Sequence, residues 1–464
     1  MTEALRTDQA RAAGRALRQK LKRTDHAGLL LPAERDPVGV LEAQHRSRLA
    51  ELIGVRIGRM LQSPFTYYRG TAAQMACDLA AGQTTDLRVV SCGDAHLSNF
   101  GLYASPERQL LFDLNDFDEG AIAPWEWDVK RLAASIHIGG RDIGLSERAC
   151  RDASEQAVTS YQTSLADLME LTALERYYTQ VNTDQVMAFV TSSSGRRVTR
   201  DVVRKARRRT ADQVLARITT RRDDGRLCIV DEPPITRHAD HATLEQMNTL
   251  FDQYRSTLRE DTAVLLSQFE IVDTVLRVVG VGSVGTRCYV ILLLGPSGEA
   301  LFLQAKEAQD SVLVSHGGMP PVVPGHPGDR DWSQGHRVVA AQRVLQAQSD
   351  PFLGWITGWA GDRKDRPRVD YYWRQFRDMK GSVEVSRLDR GQFTLYGQLC
   401  AKLLARAHSQ SPAAAAIAGY LGGSAGFAEA VSAWACAYAD ICEADFDALA
   451  AAVAAGRLPV ERNV

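Results

Sequence analysis

The stretch "EIVDTVLRVVGVGSVGTRCYVILLLGPSGEALFLQAKEA", residues 270–308, constrains the fold more than any other part of the chain. Three apolar, β-branched runs are separated by a glycine loop and by the tight turn "GPSG", which predicts three consecutive strands. The loop carries Gly280, Gly282 and Gly285 in GxGxxG spacing, with Ser283 among them. That spacing serves two different machines. A dinucleotide-binding turn runs from its glycines into a helix, and Glu307 would then stand near the place of a ribose-binding acid. Here the glycines run into "TRCYVILLLG", a strand pattern. This favours a loop between antiparallel strands whose backbone amides cover phosphates. The third run places Lys306 on a largely apolar strand, in a chain whose positive charge is mostly Arg. An ammonium buried without a partner is costly, and nucleotide phosphates would satisfy it. The plainer alternative is a strand-end lysine that reaches solvent.

A second constellation lies far upstream, in "SCGDAHLSNFG", residues 91–101. Asp94 and Asn99 stand five residues apart. Phosphoryl transfer to a hydroxyl needs a carboxylate near the nucleophile and an oxygen ligand for magnesium close by. The strand "LRVV" leads in and the hairpin "FGLYA", "SPER", "QLLFDL" leads out, so the loop has rigid support. His96 is expected to orient the loop by bonding a backbone carbonyl, or to act as an active-site hydrogen-bond partner. The hairpin should return Asp116, 17 residues after Asn99, to share a metal ion. Asp113, Asp118 and Asp128 are rival ligands. The plainer role for all these acids is to decorate turns and to cap the helix after residue 124.

Elsewhere the pattern is mainly helical. Residues 1–25 read as a helix or a tail, 38–62 as a helix broken by "SPFTYYRGTA", and 127–225 as helices. "DEPPITRHADH" and "MPPVVPGHPGDRDW" read as loops, "GHRVVAAQRVLQA" as a helix and "DYYWRQFRDM" as a strand. The region from "GQFTLYGQLCAKLLARAHSQ" onward reads as helical. With 464 residues, 45% of them hydrophobic, the chain can bury two to three domains or lobes. A formal net charge of −1 gives no field favouring nucleic acid or an anionic membrane. The basic stretch 196–226 is read as a solvated helix face, so no nucleic-acid partner is expected. Eight cysteines without a CxxC pair offer little for zinc and fit a reducing compartment. With no secretory signal and no run long enough to span a bilayer, no membrane partner and a cytoplasmic location are expected.

The strings "FTYYRG", "CGDAHLSNFG", "DLNDFDE", "WDVKRLAAS", "VVGVGSVGTR", "LQAKEA" and "LARAHSQS" resemble the bacterial family called domain of unknown function 2252, over roughly residues 30–450. That family is grouped with protein-kinase-like and aminoglycoside-phosphotransferase-like proteins. "GDAHLSNF" is similar to their HGDxHxxN loop, with Cys92 in place of the first His, and "DFD" at 116–118 resembles the magnesium-binding DFG segment. The resemblance implies ATP and Mg2+ as cofactors. It implies Asp94 as the base, and His96 of the same loop is a further catalytic candidate. Asn99 and Asp116, with Asp118 as a further candidate, would be metal ligands. Lys306 with Gly280, Gly282 and Gly285 would take the phosphates, and Ser283 of the same loop is a further candidate.

In kinase-like proteins a helix ending in something like "LARAH" directly precedes the catalytic loop, whereas here it spans 392–408 and the loop 91–101. The expected fold is therefore α+β, protein-kinase-like, with two lobes in circularly permuted order and extra N-terminal helices. The expected parts are a helical segment 1–85, catalytic-lobe part 86–254, nucleotide-binding lobe 255–385 and catalytic-lobe part 386–464. Lys306 and Asp116 should then lie within one nucleotide's reach. Two departures stand out. The helix 335–348 lacks the acid that pairs with a kinase's strand lysine, leaving Gln342 as a substitute. Gln304 stands where kinases put a small apolar residue against adenine. The leading function is phosphotransfer from Mg-ATP to an unidentified hydroxyl-bearing acceptor, small molecule or protein. The alternatives are a non-catalytic nucleotide-binding module and a nucleotidyl transferase on the same fold. Lower stands a metal-dependent phosphoesterase, for which the ten His residues supply no clear partner motif.

Overall fold

The computed structural model describes residues 7–190, 192–209, 211–223, 225–238, 244–278, 280–325, 332–359, 368–376 and 379–462. The N-terminal segment forms α1 (Thr7–Leu17), α2 (Pro37–His45), α3 (Ile53–Met60), α4 (Pro64–Tyr68) and α5 (Ala72–Ala80). The single helix expected over 38–62 is interrupted after His45, because Leu49 N–H leaves the helical ladder and donates to Gly285 O at 2.8 Å. "SPFTYYRGTA" is itself partly helical. Ser63 and Thr66 cap α4 reciprocally and Pro64 occupies its first turn.

The chain then enters β1 (Arg88–Ser91), the hairpin β2 (Phe100–Ala104) and β3 (Leu110–Leu114), and β4 (Ala121–Pro124), which pairs antiparallel with β1. A helical region follows: α6 (Trp125–Asp142), α7 (Glu147–Leu168), α8 (Ala173–Tyr178), α9 (Thr183–Phe189), α10 (Ser193–Arg207) and α11 (Ala211–Ile218). Arg196, Arg197 and Arg200 of the basic stretch are exposed on α10. A short strand, β5 (Thr219–Arg221), departs from the helical expectation through about residue 225, and it pairs with β6 (Leu227–Ile229) just beyond. The expected loop around 231–241 contributes β7 (Thr236–His238), and its residues 239–241 lie outside the described residues.

After α12 (Leu244–Arg255) and α13 (Glu260–Leu266) come β8 (Glu270–Arg277), β9 (Cys288–Leu294) and β10 (Ala300–Ala308), each antiparallel to the next. The glycine loop thus runs into a strand, and the dinucleotide-turn reading is overturned. Next come α14 (Val312–Ser315), α15 (Gln334–Leu345), β11 (Gly354–Trp359), β12 (Arg368–Gln375) and β13 (Gly381–Ser382), which pairs with β2. The Pro/Gly loop is irregular where described, and its residues 326–331 lie outside the described residues. The large sheet has the order β11-β12-β10-β9-β8-β7. Strand alternation gives it two apolar faces. Ile291, Leu293 and Leu303 pack with Phe251, Tyr254 and Trp373, while Val290, Leu292 and Phe302 pack with Ile229 and Phe376.

Three helices end the chain: α16 (Arg390–His408), α17 (Ala414–Leu421) and α18 (Gly426–Ala454). They close on α6 and α7 around Trp125, Tyr161, Tyr420 and Phe427, all fully buried, in a core that reaches from Val38 to Leu458. The fold is a mixture of helices and antiparallel sheets. Among the described residues no helix is long and apolar enough to cross a membrane.

Candidate functional site

Helix α6 fixes the loop between β1 and β2. Asp128, Arg131 and Ser135 lie at i, i+3 and i+7, on one helical face. Asp128 Oδ2 accepts from Cys92 N–H at 2.9 Å and Oδ1 from Gly93 N–H at 3.0 Å. Gly93 has φ +76°, and a Cβ there would stand 2.3 Å from Glu119 O, so the turn requires glycine. Asp94 Oδ1 accepts from Arg131 Nε at 2.9 Å and Nη2 at 2.7 Å. Ser135 Oγ accepts from Leu97 N–H at 2.9 Å. Asp128, named as a rival metal ligand, is instead a buried loop clamp, and its Oδ2 also bonds His408 Nε2 at 3.1 Å. Burial pushes its carboxyl up, but His408, Ser91 and the Cys92 amide outweigh this and hold it below the ordinary value.

Arg131 is a site residue that sequence reasoning missed. Its guanidinium lies 3.9 Å from the centre of the Tyr68 ring and donates to Tyr68 O at 2.8 Å. "FTYYRG" is therefore part of the scaffold under Asp94. Burial lifts the Asp94 carboxyl above the usual range, although Arg131 draws it down. His96 Nε2 is 3.6 Å from Asp94 Oδ2, beyond hydrogen-bond reach. Its side chain bonds no backbone carbonyl among the described residues, which corrects the orienting role expected of it. Burial and then the charges of Arg69 and Arg131 hold the ring neutral.

The β2–β3 hairpin brings residues 115–118 back beside Asn99, and Asn115 N–H donates to Asn99 O at 2.9 Å. Asn99 Nδ2 donates to Asp94 O at 2.7 Å, leaving Oδ1 without a partner among the described residues. Asp113 stays out of this arrangement. It is buried and accepts from Ala347 N–H at 2.8 Å, fastening the end of α15.

Lys306, only 2% exposed on β10, meets this hairpin from the large sheet. Its Nζ is ion-paired with Asp118 and lies 4.0 Å from Asp116 Oδ2. Burial would depress the ammonium, but Asp116 and Asp118 outweigh burial and hold it above its ordinary value. Asp118 also accepts from Tyr372 Oη at 2.7 Å and from Ser283 Oγ at 3.4 Å. Its partners keep it low, whereas burial and the neighbouring Asp118 push Asp116 up. The lysine's counter-charge thus comes from 116–118, not from α15. Gln342, the expected substitute, donates instead to Gln346 Oε1 at 2.8 Å. From α15, Arg337 holds the hairpin by donating to Gly120 O at 2.6 Å and Asp118 O at 2.8 Å. Glu307 faces the other side of the strand and pairs with Arg287 at 2.9 Å.

Asp94, His96, Asn99, Asp116, Asp118 and the loop residues Gly280, Gly282 and Ser283 line one cleft of about 700 Å³. Gly285 lies just behind it. At φ +91° a Cβ there would stand 3.0 Å from Arg48 Cβ. The N-terminal helices grip the glycine loop by its carbonyls. Arg59 Nη1 donates to Gly280 O at 2.7 Å and Arg48 Nη1 to Val284 O at 2.5 Å. Glu119 also lines the cleft, its carboxyl pushed up to about 7 by burial. Gln304 does not line the cleft. Its amide is held between Cys288 Sγ at 3.0 Å and Arg374 Nε at 2.9 Å.

A family model described as "uncharacterized protein conserved in bacteria (DUF2252)" matches residues 48–452, so the chain belongs to that family. No curated protein and no solved structure matches it.

Proposed function

We propose that this family member transfers a phosphoryl group from Mg-ATP to a hydroxyl-bearing acceptor, through a kinase-like site assembled in permuted chain order. The observation that carries the reading is the meeting of buried Lys306 with Asp116 and Asp118, which line one cleft together with Asn99, Asp94 and the glycine-loop residues Gly280, Gly282 and Ser283, while Lys306 itself is not among the lining residues. The permuted order is supported at the other end of the loop. His408, the last residue of α16, bonds the same Asp128 that holds the Cys92 and Gly93 amides, and Ser411 Oγ accepts from Val90 N–H at 2.9 Å.

The donor set fits magnesium. The Asp116 carboxylate and Asn99 Oδ1 are hard oxygen ligands with open positions, and a divalent ion would offset the burial and the neighbouring Asp118 that push the Asp116 carboxyl up. Bound there, the ion would neutralise charge on the phosphates. Lys306 would take the phosphates on release from Asp118. Asp94 accepts the acceptor's hydroxyl proton as that oxygen bonds the terminal phosphorus, and the bond to the departing nucleoside diphosphate breaks. Arg131 fixes the carboxylate's orientation through both of its bonds to Oδ1.

Calorimetry tests the reading. Wild type should bind Mg-ATP, and Lys306→Ala and Asp116→Ala should each weaken binding at least a hundredfold while remaining folded. Absence of nucleotide binding by wild type, with or without magnesium, removes the assignment. A separate expectation concerns Asp118. Because nucleotide phosphates must compete with it for Lys306, Asp118→Asn should tighten nucleotide binding by about tenfold, roughly 1.4 kcal/mol. A loss of magnesium dependence in that variant would make Asp118 a metal ligand instead.

One observation favours a second reading, a non-catalytic nucleotide-binding module. Helix α15 supplies no acid to pair with Lys306. The two readings separate on turnover of bound ATP.

A further inference from the structure

The N-terminal segment contributes to the cleft wall three guanidinium groups that form no ion pair with a carboxylate among the described residues, although Glu119, Glu307 and Asp118 act on Arg48 at longer range. Arg48, Arg56 and Arg69 all line the cleft. Arg56 is 0% exposed. Its Nη2 donates to Gln44 Oε1 at 2.9 Å and to Gly70 O at 3.1 Å, while its Nε and Nη1 are buried with no partner. Arg69, half-buried, forms no side-chain hydrogen bond or ion pair among the described residues, and its Nε is buried and unpartnered. Arg48 spends one donor on Val284 O and keeps a buried, unpartnered Nε.

A desolvated guanidinium without a counter-charge is costly, and here the cost is compounded. Burial and then the charge of Arg48 push Arg56 well below its ordinary value. Neutral acceptors such as Gln44 Oε1 and Gly70 O satisfy geometry on one side of Arg56 but supply no charge. Guanidinium forks match phosphate and carboxylate oxygens in pairs. The missing partner is therefore an oxyanion. The demand of this arginine cluster is separate from that of Lys306, which is ion-paired with Asp118 and lies 4.0 Å from Asp116.

We infer that Arg48, Arg56 and Arg69 form an oxyanion subsite that anchors the acceptor by a phosphate or carboxylate group of its own. Arg69 borders Asp94 closely enough for their charges to interact. An acceptor anchored there presents its hydroxyl toward Asp94. The assignment to an acceptor rests on the phosphotransferase reading; the oxyanion site does not.

The test is calorimetric titration of inorganic phosphate, and separately of Mg-ADP, into the full chain and its Arg56→Gln, Arg69→Gln and Lys306→Ala variants. Wild type should bind phosphate. Both arginine variants should bind it at least tenfold more weakly, Lys306→Ala should bind it as wild type does, and Arg69→Gln should keep its Mg-ADP affinity. Arg69→Gln, at a half-buried position, answers the question even where Arg56→Gln fails to fold. The proposal is overturned by a wild type that ignores phosphate, or by phosphate binding that disappears with Lys306. Arginine variants that lose Mg-ADP as fully as phosphate also overturn it, since the guanidinium groups would then hold the nucleotide. Phosphate binding without any nucleotide binding would sink the phosphotransferase reading and leave the oxyanion subsite standing.

Discussion

Asp128→Ala should lower the unfolding free energy by about 3–5 kcal/mol, the range for removing one partner of a buried charge cluster. The carboxylate is 1% exposed and accepts from two loop amides and His408. Alanine leaves the Cys92 amide and the imidazole nitrogen without Asp128 as a partner in a dry interior and leaves the Gly93 amide only Ser91 Oγ at 3.2 Å, and each orphan group carries its own desolvation cost. The loss should appear as an earlier denaturant midpoint at pH 7. Asp128→Asn, which keeps one acceptor oxygen, should fall between the two. The pH dependence has a definite sign. The folded-state pKa of Asp128 is depressed, so its contribution is fully present above the unfolded carboxyl's value of about 3.9. It is lost as pH falls through the lower, folded value. The gap between wild type and Asp128→Asn should therefore be constant near neutrality and close on acidification. A variant that unfolds at the wild-type midpoint would show that the loop does not depend on this clamp.

The elements that set out the cleft were legible because their burial is periodic in sequence. Residues 270–308 alternate as strands do, with Ile291 and Leu293 on one face and Val290 and Leu292 on the other. The same alternation correctly sends Glu307 away from Lys306. Strand β11 was not legible, since Gly354 and Gly358 dilute the strand signal of "GWITGW". The unread parts of the site are those whose partners are chosen by tertiary packing. Lys306 was expected to lack an acid because none lies on α15, yet Asp118 reaches it across 188 residues of chain. Arg131 and Ser135 could have been found from their spacing after Asp128, which stacks all three polar groups on one face of the helix. Arg48, Arg56 and Arg69 gave no such signal. Only Arg56 lies within a helix, and the segment carrying Arg48 meets the glycine loop where the chain leaves α2 and Leu49 N–H donates to Gly285 O.

Asp94→Asn should cut phosphoryl transfer from Mg-ATP by 10²- to 10⁴-fold, the usual contribution of a positioned general base. It should leave nucleotide affinity within about twofold, since Asp94 interacts with Arg69 of the proposed acceptor subsite. Release of nucleoside diphosphate, with water or a simple polyol as acceptor, gives the readout before the natural acceptor is identified. The pH profile carries the mechanistic information. A base works deprotonated, so the rate should fall as pH drops through its pKa. Burial lifts that pKa above the ordinary value of about 3.9, and the acid limb of kcat/KM should lie correspondingly higher. Arg131 opposes this lift through its two hydrogen bonds to Oδ1. Arg131→Gln removes the cation while leaving the carboxyl buried, so the limb should move further toward neutral pH. A limb that moves the other way, or stays fixed while turnover falls, would make Arg131 a purely structural support. Full turnover in Asp94→Asn would move the base to another group in the cleft, of which Glu119, pushed up to about 7 by burial, is the next with a suitable pKa.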